Sequence, residues 1–353
     1  DYAVLLFTTV SMVSLFFTER LDVAANELHT VIIVPALFYL AFRGIRPLEK
    51  EMWIILDAYI LGAVLVAVIG LWQYASGQNL ITAEGGLMRL RSIYGSPNNV
   101  ALYLGRVFPL LLSMALLGSA VDRRRRWLWT GAMLPIGLAL LLTFSKGGLL
   151  LGLPAGLLVV FWIWQRRNNR SPWPWAVAFV ALGVVALFLA QQIPQLAERL
   201  TLSGATGVFR VNLWQASLQM IRDHPLFGVG LDNFLYAYRG RYILDAAWQE
   251  PNLNHPHNII LDFATRLGLL GLLAGGWMIL VLAGTLKRVL GKVTVVWLPI
   301  TAGFSGALAA MLIHGLVDHS FFLVDLAFAF YLMLCTVVWL DNLPLAPKIT
   351  EQS

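Results

Sequence analysis

The chain reads as an all-α polytopic membrane protein carrying a large polar segment on one face. Three observations predict this. Hydrophobic residues fill 59% of the 353 positions and charged residues only 12%, with a mean hydropathy of +0.73. Apolar runs repeatedly approach the roughly 20 residues that a spanning helix needs. Basic connectors alternate with connectors nearly free of lysine, as expected of a chain threaded back and forth across a bilayer. Hydrocarbon offers backbone groups no partners, so helices are the expected spanning elements.

Ten apolar runs predict ten helices, at about 2–17, 28–43, 52–75, 99–120, 127–144, 147–165, 173–190, 257–286, 293–313 and 320–340. The first is short and the chain opens on Asp1 rather than Met, which predicts a trimmed N-terminus with helix lost upstream. Arg43/Arg46/Lys50, Arg123 to Arg126, Arg166/Arg167/Arg170 and Lys287/Arg288/Lys292 each follow an even-numbered helix. The positive-inside rule then puts both termini, and the tail at 341–353, in the cytoplasm. The single cysteine, Cys335, lies inside the last run, which excludes a disulfide within the chain.

Two connectors on the outer face exceed simple turns, about 76–98 and 191–254. The longer has helical periodicity of its own, with Phe209, Leu213, Leu218 and Ile221 among polar residues, and predicts a small subdomain lying on the membrane. It carries Arg199, Arg210, Arg222, Arg239 and Arg241 but no lysine. A planar guanidinium fork suits a lipid-linked phosphate or pyrophosphate better than a point charge does. Contact with anionic headgroups is the other reading, and the one taken for Arg239 and Arg241.

Asn254-His255-Pro256-His257-Asn258 lies where this segment re-enters an apolar helix, so two imidazoles meet the unpaired N–H groups of a helix start. Pro256 is expected to turn the two rings to different azimuths. Arg106, seven residues past Asn99, lies roughly 10 Å deep in its run. It needs a partner or a polar cavity. Asp262 and Arg266 are spaced to pair on one helix face, as are His314 and Asp318. An aspartate so placed would orient its histidine. Asp57 reads as structural. No His/Asp/Glu set has a recognised zinc spacing, so neither metal nor other cofactor is expected, although Glu19, Asp22 and Glu27 are acids that a divalent ion would use. Nucleotide-type glycine loops are absent, and nucleic acid is not an expected partner.

Several motifs, in order, resemble the O-antigen ligase and polymerase family. They are Tyr94-Gly95-Ser96-Pro97-Asn98-Asn99, Thr143-Phe144-Ser145-Lys146-Gly147-Gly148, Arg210 four before Trp214, the stretch from His224 to Phe234, and His257-Asn258. The resemblance implies a GT-C-like helical bundle of about twelve helices in the bacterial cytoplasmic (inner) membrane, with its active site on the periplasmic face. Residues 1–75 would be N-terminal membrane helices and 76–340 the catalytic membrane region. The implied activity moves a glycan from an undecaprenyl-pyrophosphate carrier to a hydroxyl of a glycan, lipid or protein acceptor, among membrane lipids, by an inverting, metal-independent route. The implied base is His257, with His255 beside it. Arg210, Arg91 and Arg106 would hold the pyrophosphate, and Asn258, His314 and Asp318 would support the site. One departure is Arg266-Leu267-Gly268, where many members carry an acid two before the glycine. The competing class is a transporter, in which Arg106 and the histidines would line an ion path; polar groups near the midplane would favour it.

Overall fold

The computed structural model describes residues 1–82, 86–174 and 205–343, together with four isolated positions, 177, 181, 188 and 192. Most of the seventh apolar run, Arg199 and all but the first three residues of the tail therefore lie outside the described residues. Eleven helices and one hairpin follow in order. They are α1 (Tyr2–Ser14), α2 (Leu21–Ile45, with a π-helical turn at Leu28–Ile33), α3 (Glu49–Ala75), β1 (Leu80–Thr82), β2 (Met88–Leu90), α4 (Pro97–Leu117), α5 (Arg123–Leu142), α6 (Gly147–Arg167), α7 (Ala205–Asp223), α8 (Phe234–Ala237), α9 (Ile259–Lys292), α10 (Leu298–Gly315) and α11 (Val324–Asp341).

Seven of the described helices are long and apolar enough to cross a membrane, and the first, Tyr2–Phe17, is a shorter apolar one. α5 carries its four arginines in its first turn. The helix expected at 28–43 starts earlier, at Leu21, and so takes Asp22 and Glu27 into its opening turns. α10 is the central element, packed on α4, α6 and α9. Gly156 and Gly306 let α6 and α10 cross closely, since a Cβ at either would sit 2.7–2.8 Å from the other's carbonyl oxygen. Peripheral helices such as α3 keep an exposed apolar face of Ile54, Leu61, Leu65 and Trp72, as lipid contact requires.

Polar pairing divides the bundle into two ends. Arg125 meets Asp57 at 3.0 Å, Lys292 meets Asp341 at 2.9 Å, and the Trp129 indole donates to Asp57 at 2.8 Å. Asp57 is thus structural, as its position suggested. The opposite end gathers the hairpin, the starts of α4 and α9, the end of α10 and the segment from α7 to Asn258.

That segment is folded, with its own core of Leu213, Ala216, Met220, Val229, Phe234, Tyr238 and Tyr242. The expected α7 helix is present, but its inward stripe is Leu213, Ala216 and Met220; Leu218 is exposed. The first connector clasps it. Asn233 accepts from the Arg20 N–H at 2.8 Å and donates back to the Arg20 carbonyl at 3.1 Å, while Phe17 stacks on Phe227 at 4.4 Å.

α9 hides a break that its continuous apolar run does not announce. Gly268 has φ 64° and ψ −164°, so the i→i−4 ladder is interrupted there. The stretch following His224 fills the gap. Val229 N–H donates to the Thr265 carbonyl at 2.8 Å, Leu269 N–H to Pro225 at 2.8 Å, and Leu270 N–H to Leu226 at 3.3 Å. Backbone freed in one element is satisfied by the other, as burial demands. Gly228, also at positive φ (67°), and Gly268 touch the opposing backbone so closely that a Cβ on either would overlap it.

Candidate functional site

Arg266, two residues before this break, anchors the junction. Its Nη1 lies 2.5 Å from Glu27 and its Nε 2.8 Å from Asp262, and its guanidinium covers the Phe322 ring. The expected Asp262–Arg266 pair is present, extended by Glu27 from α2. Of the acids considered for a divalent ion, Glu27 pairs with Arg266, Glu19 with Arg241 at 3.0 Å and Asp22 with Arg20 at 2.9 Å. They are three separate ion pairs rather than one cluster.

The α9 start is built around Asn258, whose side chain caps the N–H groups of Ile260 (3.0 Å) and Leu261 (3.1 Å) and donates to the Leu316 carbonyl at 3.0 Å. The Trp214 indole donates to the Pro256 carbonyl at 2.9 Å. His257 between these anchors adopts φ +49°, a left-handed conformation uncommon for a non-glycine residue. That twist reverses the expected effect of Pro256. The rings of His255 and His257 meet, their centroids 4.2 Å apart, rather than diverging.

Both rings face Asp318. His257 Nδ1 lies 3.0 Å from Asp318 Oδ1 and 3.2 Å from His255 Nε2. The His319 N–H holds the same Oδ1 at 2.9 Å, and the His319 ring stacks on His255 at 3.7 Å. His255 Nδ1 is 2.6 Å from Asn254 Oδ1. We assign tautomers from this network. An Nδ1 proton on His255 bonds Asn254 and leaves a lone pair on Nε2. The Nδ1 proton of His257 is then shared between that lone pair and Asp318, so His257 Nε2 carries the free lone pair. It makes no hydrogen bond among the described residues.

Electrostatics hold these states apart. Burial, with the His257 ring beside it, keeps His255 below the usual histidine range. Burial beside His255 keeps His319 well below it. Burial alone would raise the Asp318 carboxyl, but the hydrogen bond from His257 and the histidines packed around it hold it well below the usual carboxylate range. Asp318 therefore stays ionised beside the neutral rings of His255 and His319.

The partner foreseen for Asp318 was His314, and here the structure differs. α10 ends at Gly315, so the i,i+4 geometry does not extend to Asp318, which turns to His255 and His257 instead. His314 packs against Gly147 and Gly152, its ring within 3.2 Å of where a Cβ on either would sit, and its Nε2 is buried without a hydrogen-bond partner. Arg106 and Arg210 both lie within electrostatic reach of this ring. Arg106 is 3% exposed and donates to the carbonyls of Leu326 (3.2 Å) and Ser320. Its depth is thus satisfied by the broken backbone between α10 and α11. Arg210 lies one turn before Trp214 and, among the described residues, makes no ion pair. Arg91 donates to the Asn79 carbonyl at 3.2 Å, at the base of the hairpin. It is Arg89, not singled out in the sequence, that reaches the start of α4, bonding Asn98 at 2.9 Å and the Thr143 carbonyl at 2.7 Å. Its signal was its place on β2, two before Arg91. Asn254 stands in the pentapeptide already singled out and His319 next to Asp318, but the contact of each with His255 was not foreseen.

Bundle and site together define a multi-pass helical membrane protein with an Asp–His pair and several arginines gathered at one end. Residues 131–275 match a family model described as O-antigen ligase, so this stretch of the chain is similar to that family, a likeness that supports membrane glycan transfer of that type. The matched stretch includes Arg210, His255, His257 and Asn258. No curated protein matches the chain significantly.

Proposed function

We propose that this protein is a glycosyltransferase of the bacterial cytoplasmic membrane. It moves a glycan from an undecaprenyl-pyrophosphate carrier to an acceptor hydroxyl at the periplasmic face. The observation that carries the reading is the 3.0 Å contact between His257 Nδ1 and Asp318, which leaves Nε2 as an oriented base. His257 Nε2 takes the acceptor's hydroxyl proton as that oxygen attacks the anomeric carbon. The bond from that carbon to the pyrophosphate oxygen breaks, and the electron pair leaves with the lipid pyrophosphate. Asp318 stabilises the imidazolium so formed, as in other carboxylate–histidine pairs. A single displacement inverts the anomeric centre.

Charge grows on the leaving group, and arginines aimed at it lower the barrier. Arg210, with no ion pair among the described residues, fits direct contact, and Arg91 lies at the same end. Arg106 has both terminal nitrogens committed to carbonyls, so it contributes field rather than direct contact. Asn258 fixes the backbone that carries His257. Grouping of these residues at one end of the bundle favours transfer at an interface over a transport path through the midplane. The test is reconstitution of the purified chain in liposomes with a lipid-linked glycan donor and, separately, glycan, lipid or protein acceptors. Donor-dependent release of undecaprenyl pyrophosphate with an inverted product linkage is expected. Solute flux without transfer would replace this reading by the transporter.

A further inference from the structure

We infer that His255 Nε2, His257 Nδ1 and Asp318 Oδ1 form a three-ligand Zn²⁺ site, and that the bound ion silences the base. The three atoms are separated by 3.0, 3.2 and 3.7 Å. Ligands about 2.0–2.1 Å from a tetrahedral zinc lie about 3.3 Å apart, so this triangle is already one face of such a tetrahedron. Two imidazoles and one carboxylate suit zinc and select against Mg²⁺ and Ca²⁺, which prefer oxygen. The fourth position is left for water.

The surroundings fix the donors before any ion arrives. Asn254 holds His255 Nδ1, leaving Nε2 as the ligating nitrogen, while the His319 N–H orients Asp318 Oδ1 and the His319 ring stacks on His255. Ligating histidines are oriented in this way by a partner on the other nitrogen. One proton on His257 Nδ1 and one zinc ion compete for the same triangle. When Zn²⁺ enters, that proton moves through solvent to Nε2, no other bond changes, and the lone pair needed for catalysis is lost. Spacing along the chain hides the site, because Asp318 is 61 residues from His257.

The silencing half rests on His257 acting as the base; the binding half does not. Zinc titration of the purified full chain by calorimetry, with a chromogenic chelator as competitor, should give one site per chain. Affinity should fall about tenfold or more in His255→Ala and in Asp318→Asn. It should be unchanged in His29→Ala, an exposed histidine elsewhere, and Mg²⁺ should not compete. His255→Gln guards against a folding defect, and Zn²⁺ should raise the thermal midpoint of the wild type but not of the site variants. Co²⁺ should give the intense visible band of a tetrahedral centre. Equal zinc affinity in wild type and both site variants overturns the site. Transfer assays should lose activity with Zn²⁺ and regain it with chelator. Site-specific binding with undiminished transfer overturns the silencing and the base assignment while leaving the metal site standing.

Discussion

Replacing Asp318 by asparagine separates charge from geometry at the candidate base. One oxygen, Oδ1, accepts from both the His319 N–H (2.9 Å) and His257 Nδ1 (3.0 Å). An asparagine can place its carbonyl oxygen there and satisfy both donors, so the His257 tautomer survives and only the negative charge is lost. A hydrogen bond to a charged group contributes about 1.5–3 kcal/mol against about 0.5–1.5 for a neutral one. A loss of about 1–2 kcal/mol in transition-state stabilisation follows, roughly 5- to 30-fold in kcat/KM. Asp318→Ala removes the acceptor as well and frees the tautomer. It should approach the roughly 10²–10⁴-fold loss expected when base catalysis fails. The assay is transfer from a lipid-linked glycan by purified protein. Wild-type rates in both variants would refute the pairing.

Arg210→Lys keeps the charge but not the planar fork, so it should recover only part of the activity lost in Arg210→Ala, in turnover as well as donor affinity; small, equal effects at Arg210, Arg239 and Arg241 would reduce the loop's arginines to headgroup contacts. Gly268→Ala should lower the yield of folded protein on size-exclusion chromatography and its thermal midpoint, since a Cβ there overlaps the backbone at Leu226 and Phe227 and φ is positive; Gly276→Ala, which faces open space on the same helix, should be close to neutral. His255 and His319 have folded values depressed below 6.5, so their stabilisation is fully present above that pH and is lost as pH falls below it; moving from pH 6.5 to 5.5 should lower the thermal midpoint in detergent, and a midpoint that holds or rises would contradict their burial as neutral rings.

Much of the architecture was legible because hydropathy acts locally. Spans at 52–75, 99–120 and 147–165 are set by runs of apolar residues whatever their neighbours do, and the observed helices fall close to them. The break at Gly268 was not legible. Leu267, Leu269 and Leu270 continue the apolar run, and what interrupts the ladder is backbone arriving from Pro225 to Val229, some forty residues earlier in the chain. Site residues divide in the same way. His257, Asn258 and Arg210 stand out by motif, and Asp262 with Arg266 by helical spacing. Asp318 was assigned to the wrong histidine because spacing assumes a continuous helix, and α10 stops at Gly315. Arg89 was passed over because the hairpin that aims it at Asn98 has strands of only three residues, too short to declare an alternating pattern.

The central claim, that His257 removes the acceptor's proton during transfer from a lipid pyrophosphate, is tested most directly by one comparison. Purified wild type and His257→Ala, matched for thermal midpoint and reconstituted at equal density, are given the same lipid-linked glycan donor and acceptor, and release of undecaprenyl pyrophosphate is followed. The account predicts a rate lower by about 10²–10⁴-fold in the variant with donor binding retained. Turnover within a few-fold of wild type would contradict it.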